Sequence, residues 1–122
     1  MQWLLVFLGG GMGAAARHGV NRIGLAWFGP DFPWWTMAVN VSGSLLIGLL
    51  AGLFGTVEAG QNMRLFLITG ILGGYTTFSA FSLDALTLWE RGEAMQAGGY
   101  VLGSVILSLL AAAAGLMLAR LA

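Results

Sequence analysis

The sequence of 122 residues contains no cysteine and no lysine, and only ten of its residues carry a charge. The absence of cysteine excludes disulfide bonds and thiolate metal sites. Charged residues make up 8% of the chain, whereas an ordinary soluble domain has roughly 25%. A net charge of zero without a basic cluster argues against nucleic-acid binding. With 58% hydrophobic residues, the composition predicts a membrane protein.

Three stretches of the chain that are long enough to cross a membrane carry no charge: residues 32–57, 65–83 and 94–119. A membrane-crossing helix needs about 20 mostly apolar residues, so each stretch predicts one crossing, and the apolar opening residues suggest a fourth. We expect one domain over 1–122, with helices over about 3–27, 36–54, 63–89 and 95–120. A polar loop through Glu58 separates the second helix from the third. The chain has no nucleophile–base pair and no metal-ligand cluster, so no enzyme is predicted.

The five arginines are distributed almost evenly between the two sides of the membrane. Four crossings place Arg64 and Arg120 on one side, and Arg17, Arg22 and Arg91 on the other. The excess of positive residues that normally fixes the orientation of a membrane protein is therefore missing. We hypothesise that both orientations occur, which permits an antiparallel dimer.

The middle of the third predicted helix contains an unusual segment, Gly73-Gly74-Tyr75-Thr76. It predicts a helix break near mid-membrane, where freed backbone groups must be buried in protein or line a wet cavity. Two such breaks at a dimer axis would offer carbonyl oxygens to a cation such as sodium. The alternative is a plain glycine-rich crossing, at which two helices touch closely.

Neutral polar residues recur every four positions on two helices: Thr36, Asn40 and Ser44 on the second, and Tyr100, Ser104 and Ser108 on the fourth. This spacing places each set on one face of its helix, where the side chains can offer hydrogen bonds to an anion or to water. In membrane helices such hydroxyls more often bond their own helix or join neighbouring helices. The amide of Asn40 needs several partners, which favours a cavity or another helix.

Phe78 and Phe81 lie three positions apart among small polar residues. Such a pair is typical of core or lipid-facing residues, but the positive edge of an aromatic ring also attracts an anion weakly. Conduction through a pore requires weak binding of this kind. Arg17 is a lone charge inside the first helix, and it either reaches the interface or bonds to carbonyls of the break or to a vestibule anion.

Three segments together resemble the Fluc (CrcB) family of small fluoride channels: 9–17 (GGGMGAAAR), 40–44 (NVSGS) and 70–82 (GILGGYTTFSAFS). The last of these motifs is highly specific. The resemblance implies an antiparallel, dual-topology homodimer in the bacterial inner membrane. Such a dimer has two pores, through which fluoride leaves the cytoplasm passively.

The resemblance also implies roles for individual residues. Asn40 would coordinate fluoride, and Phe78 and Phe81 would line the pore with their ring edges. Further pore and vestibule positions would be Thr36, Tyr100, Ser104 and Ser108 along a polar track, and Arg17 in the vestibule. The backbone carbonyls of Gly73 and Thr76 from both subunits would hold a central structural Na⁺. The family often has threonine where this chain has Ala80, which removes one hydroxyl.

Two other classes of protein fit the composition. A small proton-coupled multidrug-type exporter has the same size and helix number, but it needs a titratable group inside the membrane. Only Asp84 and Glu90, near the end of the third helix, approach such a position. A non-transporting packing subunit of a larger complex would leave Asn40 and the helix break without a purpose.

Overall fold

The computed structural model of the protein describes residues 1–56 and 60–121, so the predicted loop residue Glu58 lies outside the described part. Within these ranges every regular element is helical. The elements are α1 (Gln2–Phe28), α2 (Trp34–Thr56), α3 (Gln61–Arg64), a π-helix (Leu65–Leu72), α4 (Gly73–Tyr75), α5 (Phe78–Glu90) and α6 (Ala94–Arg120). The predicted all-α membrane fold is confirmed, and the helix bounds lie close to the expected ones.

Three helical segments are long and apolar enough to cross a membrane: Trp34–Gly55, Gln61–Glu90 and Ala94–Arg120. The first predicted crossing corresponds to α1, which is long enough but is interrupted in its second half by polar side chains. Arg17, His18, Asn21 and Arg22 account for this difference. The length of α1 and its close packing against the third span support its place in the bundle.

The break in the third span lies at Thr76 and Thr77, beyond the glycines that predicted it. Both threonines have extended backbones, with φ −84° and ψ 156° at Thr76 and φ −151° and ψ 120° at Thr77. Gly73 is helical and Gly74 lies inside α4, so within the predicted segment Gly73–Thr76 only Thr76 leaves the helix, and the break extends to Thr77. Thr77 caps α5 by accepting a hydrogen bond from the Ala80 N–H at 3.0 Å.

The glycines instead allow α1 to approach the third span. A Cβ atom on Gly13 would overlap the carbonyl oxygen of Ile71, and one on Gly74 would overlap the carbonyl oxygen of Gly10. The same device joins α2 to α6, because a Cβ on Gly48 would overlap the carbonyl oxygen of Ala112. Helices in lipid associate by close packing of this kind, since lipid removes the hydrophobic drive between them.

The π-helix Leu65–Leu72 lies directly before α4 and packs against α1. Short π-helical segments are rare and are often found at functional sites. Here the segment carries the buried Gly70, whose Cα lies against the backbone of Gly9. This π-helix was not predicted from the sequence.

Candidate functional site

A cavity of about 310 Å³ lies between α2, the break and the helices α5 and α6. Its polar wall is built by residues that sequence reasoning singled out and by the two threonines of the break: Asn40, Ser44, Thr76, Thr77, Ser104 and Ser108. Phe78 and Phe81 supply the aromatic part of the wall. None of the residues that line this cavity carries a charge. The cavity therefore offers neutral hydrogen-bond donors and ring surfaces.

Asn40 is fixed by two hydrogen bonds to the backbone of the break. Its Nδ2 donates to the Thr77 carbonyl at 3.0 Å, and its Oδ1 accepts from the Thr77 N–H at 2.8 Å. An amide nitrogen carries two hydrogens, so one N–H remains for a ligand in the cavity. The side chain is thus both the partner that satisfies the broken helix and a rigid donor in the cavity wall.

Ser104 places an unpaired hydroxyl in the same cavity. The residue is only 4% exposed, and its Oγ has no hydrogen-bond partner. An unsatisfied polar group that is buried costs about 1 to 3 kcal/mol, so its presence requires an explanation. A ligand that accepts a hydrogen bond from Ser104 would supply the missing partner.

The two phenylalanines differ in their surroundings. Phe81 is buried at 8% exposure and packs against the ring of Tyr100, with centroids 5.2 Å apart. Phe78 also lines the cavity but is 77% exposed. Their own centroids lie 5.5 Å apart, with the ring planes inclined at 48°. Phe81 is therefore held in place by the core, whereas the ring of Phe78 is largely exposed in the single chain.

Thr36 and Tyr100 do not line this cavity but lie one helical turn beyond it, on α2 and α6. Both are buried, and the Thr36 side chain lies beside the Tyr100 hydroxyl. The hydroxyl of Tyr100 donates a hydrogen bond to Oδ2 of Asp84 at 3.0 Å. Sequence reasoning missed this use of Asp84, because the pairing of α5 with α6 is not encoded in either helix alone.

Arg17 and the predicted cation ligands lie on the other side of the break. The Nε of Arg17 donates to the carbonyl of Gly74 at 3.1 Å. The arginine therefore bonds to a carbonyl beside the break, which is one of the roles expected for it. Because the Thr77 N–H bonds to Asn40, it does not close a helical bond to the Gly73 carbonyl. Within residues 1–56 and 60–121, the carbonyls of Gly73 and Thr76 accept no hydrogen bond.

Comparison with known proteins decides the family. Residues 4–116 match the family model described as CrcB-like protein, Camphor Resistance (CrcB). The chain belongs to the CrcB family. The match covers α1 through most of α6 and so includes every residue of the cavity wall.

Several CrcB relatives are similar over nearly their whole length. A protein from Rhodopseudomonas palustris (strain BisB5) is 56% identical over 121 residues, which cover 98% of each chain. One from Paracoccus denitrificans (strain Pd 1222) is 55% identical over 97% of this chain and 94% of its own. One from Sphingopyxis alaskensis (strain DSM 13593 / LMG 18877 / RB2256) is 53% identical over 94% of this chain and 92% of its own. Each is named "Fluoride-specific ion channel FluC".

Proposed function

We propose that the protein is a fluoride channel through which fluoride leaves the cytoplasm passively. The observation that carries the proposal is the pair of neutral donors in one uncharged cavity, the spare N–H of Asn40 and the unpaired hydroxyl of Ser104. The names of the CrcB relatives, which are fluoride-specific channels, give the ion. The proposal is one of transport without catalysis.

The chemistry of the wall suits a small anion that must also leave. Fluoride is a compact hydrogen-bond acceptor. Hydroxyl and amide donors can replace the water molecules around it at close range. A fixed positive charge would hold it too tightly, whereas the edges of Phe78 and Phe81 attract it weakly. Ser108 continues the hydroxyl row one turn beyond Ser104 on α6.

An antiparallel homodimer with two pores is part of the proposal. In the single chain Phe78 lines the cavity and remains largely exposed, so a second copy would cover its large ring. The near-even division of the five arginines allows the two copies to insert in opposite orientations. Lipid would surround the remaining apolar faces of such a dimer.

A central Na⁺ at the dimer axis is also proposed. The carbonyls of Gly73 and Thr76 fit such an ion, since neither accepts a hydrogen bond and sodium is bound by oxygen donors in broken membrane helices. Gly73 lies at the surface of the single chain, where a second copy can bring its own carbonyls. The ion would supply positive charge that balances the converging carbonyl dipoles.

The proposed location is the bacterial inner membrane, where a passive channel lowers cytoplasmic fluoride directly. The alternative of a small proton-coupled exporter has no support from the comparisons, since the CrcB relatives named above are channels. The carboxylate that an exporter would use, Asp84, is bound by Tyr100 and lies outside the large cavity.

Purified protein in liposomes tests the ion selectivity. Vesicles loaded with equal concentrations of potassium fluoride and potassium chloride should release fluoride at least about a hundredfold faster than chloride when valinomycin carries the potassium. This ratio corresponds to about 2.8 kcal/mol of discrimination. Vesicles without protein give the background. Equal release of the two anions would contradict the selectivity.

A further inference from the structure

The last residue of α4, Tyr75, is bound to α2 through its hydroxyl group. This hydroxyl lies 3.0 Å from Oγ of Ser42. Oγ of Ser42 also lies 2.6 Å from the carbonyl oxygen of Ala38, one turn earlier in α2. A serine hydroxyl has a single proton, and a carbonyl oxygen can only accept one. Ser42 therefore donates to its own helix, and the hydroxyl of Tyr75 donates to Ser42.

Gly43 allows Tyr75 and the break to lie against the backbone of α2. A Cβ atom on Gly43 would lie 3.2 Å from Cδ2 of Tyr75 and would overlap the methyl group of Thr76. Tyr75 and Ser42 are both half-buried. A ring that rests on a glycine meets no side chain that would stop it from sliding. The hydrogen bond to Ser42 therefore gives this contact its direction.

A second connection to α2 follows two residues later in the chain. Asn40 accepts from the N–H of Thr77 at 2.8 Å and donates to its carbonyl at 3.0 Å. Between the two connections, the hydroxyl of Thr76 bonds back to the carbonyl of Leu72 at 3.0 Å. The break is thus held by α2 on both sides of Thr76. Because Thr77 orients the amide of Asn40, a movement of the break would also turn the spare N–H of that amide.

We propose that Tyr75 is a positioning residue for fluoride conduction, which keeps the spare N–H of Asn40 directed into the cavity through its hydrogen bond to Ser42. The proposal rests on the proposed fluoride channel function. Tyr75 and Ser42 lie outside the cavity wall, so they act through Thr77 and Asn40. Hydrogen bonds weaken steeply when donor and acceptor are misaligned. A small shift of the break therefore weakens the bond that Asn40 offers to the ion.

Tyr75→Phe tests this role, because it removes the hydroxyl and keeps the ring on Gly43. Fluoride efflux from liposomes with valinomycin should fall about threefold to tenfold, the range that one net hydrogen bond provides. Thr87→Val is the matched control, since the exposed Thr87 donates to the carbonyl of Leu83 within α5 at 2.8 Å. Its efflux should stay within about twofold of the unmodified protein, as is usual for surface substitutions.

Variants of Ser42 test whether the bond itself carries the effect. Ser42→Ala removes the acceptor and should also slow efflux. The double variant with Tyr75→Phe should be no slower than the slower single variant, because two residues that act through one contact are not additive. Ser42→Thr keeps a hydroxyl and should conduct like the unmodified protein. These variants test the proposal even where Tyr75→Phe folds poorly.

The side-chain amide of Asn40 provides a readout that does not depend on transport. The chain has three asparagines, Asn21, Asn40 and Asn62, so isotope labelling of asparagine gives three side-chain amide groups by NMR in detergent. The spectrum of Asn40→Ser identifies the signals of Asn40. In Tyr75→Phe these signals should shift and their protons should exchange faster with water, while those of Asn62 stay in place. Thr87→Val should leave all three groups unchanged.

Each contrary result has a distinct meaning. Unchanged efflux and unchanged Asn40 signals in a less stable Tyr75→Phe would overturn the proposal and leave the bond a purely structural role. Slower efflux with unchanged Asn40 signals would overturn the action through Asn40. Additive losses in the double variant would overturn the action through the bond to Ser42. Absence of fluoride efflux from the unmodified protein would instead refute the channel function, and the Asn40 signals would still test whether Tyr75 positions this amide.

Discussion

The two halves of the interrupted third span are held in the bundle by different means. The first half, from α3 to α4, lies against α1, and its contacts are backbone on backbone at Gly9, Gly13 and Gly74. The second half, α5, packs against α6 through side chains, with Phe81 and Leu88 buried against Tyr100. Glycine contacts allow almost no change of spacing, whereas ring contacts tolerate small shifts.

The difference explains where the polar chemistry lies. The rigid first half ends at the break, where Asn40 binds both backbone groups of Thr77. The second half then begins with the rings and hydroxyls of the cavity wall. A fixed backbone thus positions the donors, and a softer aromatic layer faces the path of the ion.

The largest effect should come from the glycine side. Gly13→Val would place side-chain atoms on the carbonyl of Ile71, and overpacking costs about 1 to 3 kcal/mol and occasionally more. We expect no monodisperse folded protein in detergent by size-exclusion chromatography. Gly11→Ala is the matched control, since nothing lies near its Cβ position and helix propensity favours alanine. Normal folding of Gly13→Val would contradict the proposed tight contact.

A change at the junction of the two halves should stop conduction while the protein still folds. Asn40→Asp adds a negative charge to the cavity wall and removes the donor to the Thr77 carbonyl. Repulsion between unit charges 4 Å apart is about 4 kcal/mol at an effective dielectric constant near 20, so fluoride efflux should fall by more than about a hundredfold.

Asn62→Asp, in the exposed helix α3, provides the same chemical change outside the cavity. Its efflux should stay within about twofold of the unmodified protein, because surface charges are screened. Comparable loss in both variants would remove Asn40 from the path of the ion.

The smallest effects should distinguish the two rings of the second half. Phe81→Ile removes a buried ring and should lower both fluoride efflux and stability, the latter by about 1 to 3 kcal/mol. Phe78→Ile should lower efflux with little change in the thermal unfolding of the single chain, because Phe78 is exposed. Unfolding temperatures and liposome efflux measured on both variants check this split. Equal destabilisation would show that Phe78 is also part of the core.

The sequence predicted the helices well because charge is excluded from lipid, and the uncharged runs closely match the described spans. Five of the residues that it singled out line one cavity: Asn40, Phe78, Phe81, Ser104 and Ser108. Their roles towards fluoride stay predictions. Helical spacing alone does not show how far a cavity extends along the face of a helix. Thr36 and Tyr100 were therefore predicted to belong to the same polar track, although they lie beyond the cavity.

The position of the break was predicted less well. A glycine pair in a helix has two meanings, a break or a close contact, and only the approach of α1 selects the second. Thr77 carried a usable signal, since a threonine before a helical run often serves as its N-cap. The hydrogen bond from Tyr100 to Asp84 depends on the relative rotation of α5 and α6. The sequence of neither helix specifies this rotation.

The most direct test of the central claim is whether fluoride efflux depends on the movement of a compensating charge. A fluoride electrode outside the liposomes follows the efflux, and no pH gradient is applied. If bare fluoride passes through a channel with a neutral wall, almost no fluoride should leave the liposomes until valinomycin lets potassium follow. Fluoride release should then be rapid. Release that proceeds equally well without valinomycin, or only with a proton gradient, would contradict the account.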